Sequence, residues 1–175
     1  MNPRRRRALL ALGWLVTAVA APAAARVVGR TDLGAREVLA VETAGRGQRL
    51  LDLAGSDRGR LSVYRRVLGR GDHAYVAVYG TGVLLGVSLL DGGARVLGTV
   101  VSVGALAADV VENEALDTAL GTLLVQPGRP HLADGDAALA RTAAAAKFGL
   151  LVPAVAMSVV GVVRGLRGER SKRGR

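Results

Sequence analysis

The chain contains no cysteine. Disulfides, thiolate metal sites, iron–sulfur clusters and a cysteine nucleophile are therefore excluded, and redox chemistry does not report the compartment. Histidine occurs only as His73 and His131, too few for a histidine-rich metal site within one chain. No metal and no cofactor are expected. Aromatic residues are 3% of the sequence, so there is no stacking platform for single-stranded nucleic acid. No G-x-S-x-G, H-E-x-x-H or P-loop occurs. The glycine pairs Gly69–Gly71 and Gly80–Gly82 lack the strand–turn–helix setting of a phosphate loop. Ser56, Ser62, Ser88 and Ser102 stand in no motif that would activate a hydroxyl.

What the chain has is apolar length. Half of its 175 residues are hydrophobic and the mean hydropathy is +0.32. These residues are grouped in runs, which is a membrane pattern. The first run is Ala8 to Ala25, eighteen uncharged residues directly after Arg4 to Arg7. The second is His73 to Leu90. The third begins at Val96 and takes on acids after Ala108, continuing to Val125. The fourth is Thr142 to Val163, charged only at Lys147. Eighteen helical residues reach about 27 Å, close to the thickness of a bilayer core.

These runs predict an all-α fold, a four-helix transmembrane bundle with a short, partly helical extracytoplasmic segment. The expected boundaries are a basic cytoplasmic N-terminus at 1–7, spans at 8–25, 72–90, 96–125 and 142–163, and a basic cytoplasmic tail at 164–175. Between them lie an extracytoplasmic segment at 26–71, a cytoplasmic turn at 91–95 and an extracytoplasmic loop at 126–141. A rival reading exists for the first run. Arginines, an apolar stretch and Ala23-Ala24-Ala25 also compose a secretory signal with a cleavage site. Pro22 fits either case, bending the outer end of a retained helix.

The net charge of +10 has a membrane explanation. Two basic clusters, Arg4 to Arg7 and Arg164 to Arg175, each lie beside an apolar run, which suits cytoplasmic anchoring against anionic lipid. Membrane lipids are the expected partners, with self-association or a larger membrane complex open and no nucleic acid. Arg95 in the turn agrees with this orientation. One fact opposes it: residues 26–72 hold ten arginines against six acids. Within that region Leu33, Val38 and Val41 suggest an amphipathic turn or two, and Leu50 to Leu53 and Leu61 to Leu68 are helix-compatible. The region is too short and too rich in glycine for a core of its own, so its helices should lean on the bundle or the membrane. Asp134 or Asp136 is positioned to cap the fourth helix.

The short 91–95 turn makes spans two and three antiparallel neighbours. Gly82 and Gly86 form a G-x-x-x-G face on one, and Gly98 and Ser102 a matching small face on the other, so close contact between them is expected. Abundance of small residues in an Ala/Gly-rich chain explains the same pattern without a contact. Pro153 should disturb the backbone near Gly149, one turn from Lys147.

The chemistry-bearing residues sit inside apolar runs. Asp109, Glu112 and Asn113 are at i, i+3 and i+4 and share a helical face, while Lys147 lies in the fourth run at a comparable outer depth. Asp72, His73, Tyr75 and Tyr79 enter the second run at a similar height. Charges are expensive in a bilayer and need a partner or a task. The cluster reads as an internal salt bridge holding helices together, as a substrate, ion or proton site, or as wet charge outside the bilayer. No nucleophile or metal constellation accompanies the carboxylates.

Four short pieces, in order, carry a resemblance. They are Glu42-Thr43-Ala44-Gly45, Asp72-His73-Ala74-Tyr75, Asp109-Val110-Val111-Glu112-Asn113 and Lys147-Phe148. Between about Ala8 and Val163 the chain resembles a group of uncharacterised bacterial four-span integral membrane proteins. It departs from them at His73, where the group is more often apolar, and in the extra acids Glu114 and Asp117. The resemblance implies four retained spans in a bacterial cytoplasmic membrane and adds Glu42 and Asp72 to the cluster. It implies no activity. Two classes stay open: a structural or accessory membrane protein, favoured by small size and missing catalytic motifs, and a small transporter or membrane enzyme working through Asp109, Glu112 and Lys147.

Overall fold

The computed structural model describes residues 3–28, 34–55 and 57–170. Leu33, Ser56 and the tail beyond Arg170 lie outside the described residues. Those described form helices joined by short turns, with no strand among them. In chain order the helices are α1 (Pro3–Val28), α2 (Ala35–Glu42), α3 (Gly47–Ala54), α4 (Arg58–Val67), α5 (His73–Val87), α6 (Gly92–Val125) and α7 (Pro130–Arg170). A five-residue π-turn, Leu68–Asp72, joins α4 to α5.

α6 and α7 form a long antiparallel hairpin and the most extensive helix pair of the molecule. Both are long and apolar enough to cross a membrane, whereas α5 is apolar but shorter. At 1.5 Å per residue, 34 residues in α6 reach about 51 Å, well beyond a bilayer core of about 30 Å. The expected 126–141 loop shrinks to Gln126–Arg129, because α7 already begins at Pro130. Proline suits a first helical position, where its missing N–H would have had no partner anyway. Asp134 therefore lies inside α7 and does not cap it. Its Oδ1 accepts the Gly47 N–H at 2.7 Å, capping the first turn of α3 instead.

The region between α1 and α5 leans on this hairpin. Val41 and Ala44, Leu50 of α3, Leu61 and Tyr64 of α4, and Leu68 share one core with Leu116, Leu120 and Leu123 of α6 and Ala133, Ala137 and Ala140 of α7. The first turn of α4 is capped by Asp57, which accepts from Arg60 N–H at 3.1 Å. Gly45, Gly55 and Gly92 take φ of 71°, 59° and 54° where the chain turns out of one helix or into the next. Only glycine adopts that conformation without strain. Arg65 grips Asp117 of α6 at 3.0 Å and Arg60 pairs with Glu37 at 3.1 Å.

At the other end the contacts are made by small residues. The expected contact of Gly82 and Gly86 against Gly98 and Ser102 does not form. Gly82 is buried against Thr17 of α1, and Gly86 against Ser158 of α7. Gly161 of α7 abuts the carbonyl of Gly86, so two backbones meet there with no side chain between them. Gly98 does face α5, but through Val87, beside Met157 of α7. Ser102 is buried and donates to the Gly98 carbonyl of its own helix at 2.7 Å. The glycine of α5 that meets α6 is Gly80, under Leu106. The physical reason is that α5 lies in a groove with α1, α6 and α7 all around it. Its small faces serve three neighbours instead of one. Trp14 Nε1 donates to Ser158 Oγ at 2.9 Å, tying α1 to α7 across this region.

The two ends respond differently to glycine replacement. A Cβ on Gly86 would drive into Ser158, backbone included, while one on exposed Gly135 in α7 would meet nothing within 4 Å. Gly86→Ala should cost about 1–3 kcal/mol through overpacking. Gly135→Ala should gain up to about 1 kcal/mol from helix propensity. Thermal unfolding in detergent checks both signs.

Candidate functional site

The shared face of positions 109, 112 and 113 is the buried face of α6. Asp109 is 4% exposed, Glu112 0%, Asn113 3%, and Lys147 of α7 8%. Burying charges to this extent is costly unless they are paired. Lys147 Nζ lies 2.5 Å from Glu112 Oε2 and 3.3 Å from Asp109 Oδ1. One ammonium thus bridges two carboxylates one helical turn apart. Tyr79 of α5 donates its hydroxyl to Asp109 Oδ2, so a third helix joins the network. The Lys147 ammonium also sits 4.7 Å from the centroid of the Phe148 ring, within cation–π range.

Glu42 and Asp72 arrive from the short helical region. Glu42 ends α2 and Asp72 ends the π-turn, and both are half-buried. Lys147, Asp72 and Asp109 all act on Glu42 electrostatically. Burial pushes the Glu42 carboxyl above its ordinary range, Lys147 pulls it down, and Asp72 and Asp109 push it up further. The buried Tyr64 hydroxyl is raised well above its usual value by burial and by these same acids, Glu42 foremost. It stays neutral at any physiological pH.

All eight cluster residues named from the sequence fall in one neighbourhood, with unequal parts. Asp109, Glu112, Lys147 and Tyr79 touch directly. Asp72 faces Asn113 and Asp109, and Glu42 faces Lys147, at the border of the cluster. Tyr75 reaches it through the Tyr79 ring, with centroids 5.2 Å apart. His73 turns aside and meets exposed Glu114 at 3.2 Å. The four small residues Gly82, Gly86, Gly98 and Ser102 belong to helix packing, away from this chemistry.

Sequence reasoning missed Phe148 as a neighbour of the ammonium, Tyr64 as a member of the core shared by the short helices and the α6–α7 hairpin, and the Trp14–Ser158 contact. Buried Ser158 lies eleven residues, close to three helical turns, beyond Lys147. Ala144, Lys147, Ala154 and Ser158 therefore follow one buried stripe of α7. That periodicity was a usable signal.

Four carboxylates, from Glu42, Asp72, Asp109 and Glu112, confront one ammonium. Glu112 Oε1 is buried with no hydrogen-bond partner among the described residues. No group of three or more His, Cys, Asp or Glu is arranged to hold a metal ion among the described residues. Tyr79 borders a cavity of about 150 Å³ shared with Trp14, Thr17 and Ser158, which Lys147, Asp109 and Glu112 do not line. The arrangement is a closed electrostatic joint between α6 and α7, with α5 and α2 attached. No family model matches the chain, and neither a curated protein nor a solved structure does.

Two outcomes follow. Removing one partner of a buried pair typically costs about 3–5 kcal/mol, whereas removing both is often close to neutral. Lys147→Met should destabilise by about that much, and Lys147→Met with both Asp109→Asn and Glu112→Gln should recover most of the loss in equilibrium unfolding. For Glu42, the raised folded value means that the native state holds its proton more tightly than the unfolded chain. Stability therefore falls as pH rises above the ordinary value of 4.5 and levels off once the folded value is passed. Glu42→Gln should flatten that part of the curve, read as melting temperature against pH.

Proposed function

We propose that this chain is a small integral membrane protein of structural or accessory role, with four spans and both termini in the cytoplasm of a bacterial cell. In this reading its charge cluster is the joint between a membrane bundle and an extracytoplasmic cap. One observation carries the proposal: along α6 the exposed surface changes character at the level of the cluster, and α7 beyond Lys147 exposes an unbroken apolar stretch, whereas before Lys147 exposed Leu132 and Leu139 alternate with His131, Arg141 and Thr142. From Val96 to Val111 the exposed large side chains of α6 are all apolar, among them Leu97, Val100 and Val103. The next exposed residue is Glu114. In α7 the exposed large side chains from Phe148 to Val163 are likewise apolar, up to exposed Arg164.

Each of those stretches fits a bilayer core. Residues 96 to 111 of α6 and 148 to 163 of α7, sixteen each, reach about 24 Å, most of a core of about 30 Å. A soluble protein rarely exposes apolar surface so continuously. The rest of α6 and α7 rises out of the bilayer and carries α2, α3 and α4. Leu9, Leu12, Leu15, Val16 and Val19 of α1 are exposed as well, which suits a first span facing lipid. α5, at about 22 Å, is short for a span. Its place among α1, α6 and α7 hides most of it from lipid and lowers the cost of mismatch.

The arginine-rich ends support the orientation. Gly165 of α7 packs beside Leu89, next to the α5–α6 turn, and Arg6 and Arg7 of α1 lie against the same turn. Arginines of α1, the turn and α7 therefore gather at one end, as expected of the cytoplasmic side. On the opposite side Asp117, from outside residues 26–72, engages Arg65, which lightens the positive excess of that region by one.

A second reading is a small transporter using the cluster for a proton or cation. It is favoured by the four acids around one lysine. The closed packing around Lys147 favours the structural role.

A reporter active only in the cytoplasm, fused after Arg175, should be active. The same reporter inserted in the Gln126–Arg129 turn should be silent. The reverse pattern would invert the topology, and activity of both fusions would remove the α6–α7 spans.

A further inference from the structure

A basic pocket of about 220 Å³ opens at the arginine-rich end, where α1 crosses the α5–α6 turn. Arg6, Arg7 and Leu10 come from α1, Ser88 and Asp91 from the turn, and Arg95 from the first turn of α6. By volume it would hold about seven waters, at roughly 30 Å³ each. That is ample for a phosphate group.

Three guanidinium groups face one carboxylate. Arg95 is fixed in place. Its Nε donates to the Leu90 carbonyl at 2.7 Å, and one terminal nitrogen lies 3.6 Å from Asp91 Oδ1. Arg6 and Arg7 have no carboxylate partner among the described residues. This contrasts with Arg60 and Arg65, which both have one. Asp91 precedes α6 but makes no side-chain capping bond. The first backbone N–H groups of a 34-residue helix therefore add their partial positive charge at the same place.

The surroundings narrow the anion. Leu10 and Leu89 supply the apolar lining, and Leu9 and Leu12 lie exposed on α1 beside Leu10 in sequence. A ligand here would meet arginine at its head and exposed leucine along its length. We propose that this pocket binds the phosphodiester headgroup of an anionic membrane phospholipid, with its acyl chains along the leucine face of α1. The inference rests on the membrane reading above, which sets this end at the cytoplasmic headgroup level. Planar guanidinium groups suit paired phosphate oxygens, and basic pockets between helices at that level suit anionic lipid heads.

The test is native mass spectrometry of the full chain released from mild detergent after exposure to phosphatidylglycerol or phosphatidylcholine. The unmodified protein should retain the former in preference to the latter. Arg6→Gln and Arg7→Gln should each lower retention more than about tenfold, the effect of losing a hydrogen bond to a charged group. Arg5→Gln removes the same charge from the same flank, but Arg5 does not line the pocket. It should lower retention no more than about fivefold, the effect of losing one arginine's general attraction to an anionic surface. Excess inorganic phosphate should leave the lipid bound.

Equal losses for Arg5→Gln and Arg6→Gln would reduce the effect to general surface attraction and overturn the site. Equal retention of phosphatidylcholine would do the same. Displacement by inorganic phosphate would reassign the pocket to a free anion and overturn the lipid. Matching circular dichroism and melting curves keep altered folding apart from altered binding. A chain that stays in aqueous solution without detergent would instead sink the membrane reading on which the pocket depends.

Discussion

A single ammonium, buried between two carboxylates of the neighbouring helix, sets the constraint that the other helices answer to. Lys147 reaches Glu112 and Asp109 at once, which is possible only if α6 and α7 meet in one register and one rotation. A slip of one residue would turn each side chain by about 100° and leave charges buried without partners. Tyr79 brings α5 to the same point. Glu42 and Asp72 bring the end of α2 and the π-turn. A buried ion pair is a weak source of net stability compared with apolar packing. Its use here is that wrong arrangements cost more than the right one.

The cluster also divides two kinds of packing. On the cap side, leucines and a tyrosine from short helices fill a core against α6 and α7, as in a soluble domain where water drives burial. On the other side that drive weakens if lipid is the solvent, and helices associate by close van der Waals approach. Glycine and serine mark the contacts there: Gly82 on Thr17, Gly86 on Ser158, Gly161 on the Gly86 carbonyl. The π-turn at Leu68–Asp72 lies where the two regimes join. Its wider helical turn carries the chain from α4 into α5 while presenting Asp72 to Asn113 and Asp109. π-turns of this kind occur often where a helix must serve a polar site.

Much of the site was legible in the sequence because helical periodicity is rigid over short distances. Asp109, Glu112 and Asn113 had to share a face, and a charged face within an apolar helix had to be turned inward. Lys147 was the one cation within the fourth run. The helix-forming stretches around Leu50 and Leu61 were visible from their apolar spacing, as was their dependence on the bundle. Less legible were the bounds of the long helices. α7 begins at Pro130 because a helix gains a bond with each added residue and needs no apolar run to continue. Asp134, a capping residue by sequence, was free to cap a helix 87 positions away.

The sequence by itself determined the helical class, the apolar stretches, the basic ends and the identity of the buried charges. These follow from composition and period, which are local properties. Only the tertiary structure decided which small face meets which helix. Gly82, Gly86, Gly98 and Ser102 look alike along the chain, yet α5 turns its glycines toward α1, α6 and α7 in succession. The arrangement of helices around α5 depends on contacts far apart in sequence, such as Trp14 with Ser158. A helix's own period shows that a face is small, and its neighbours determine what fills it.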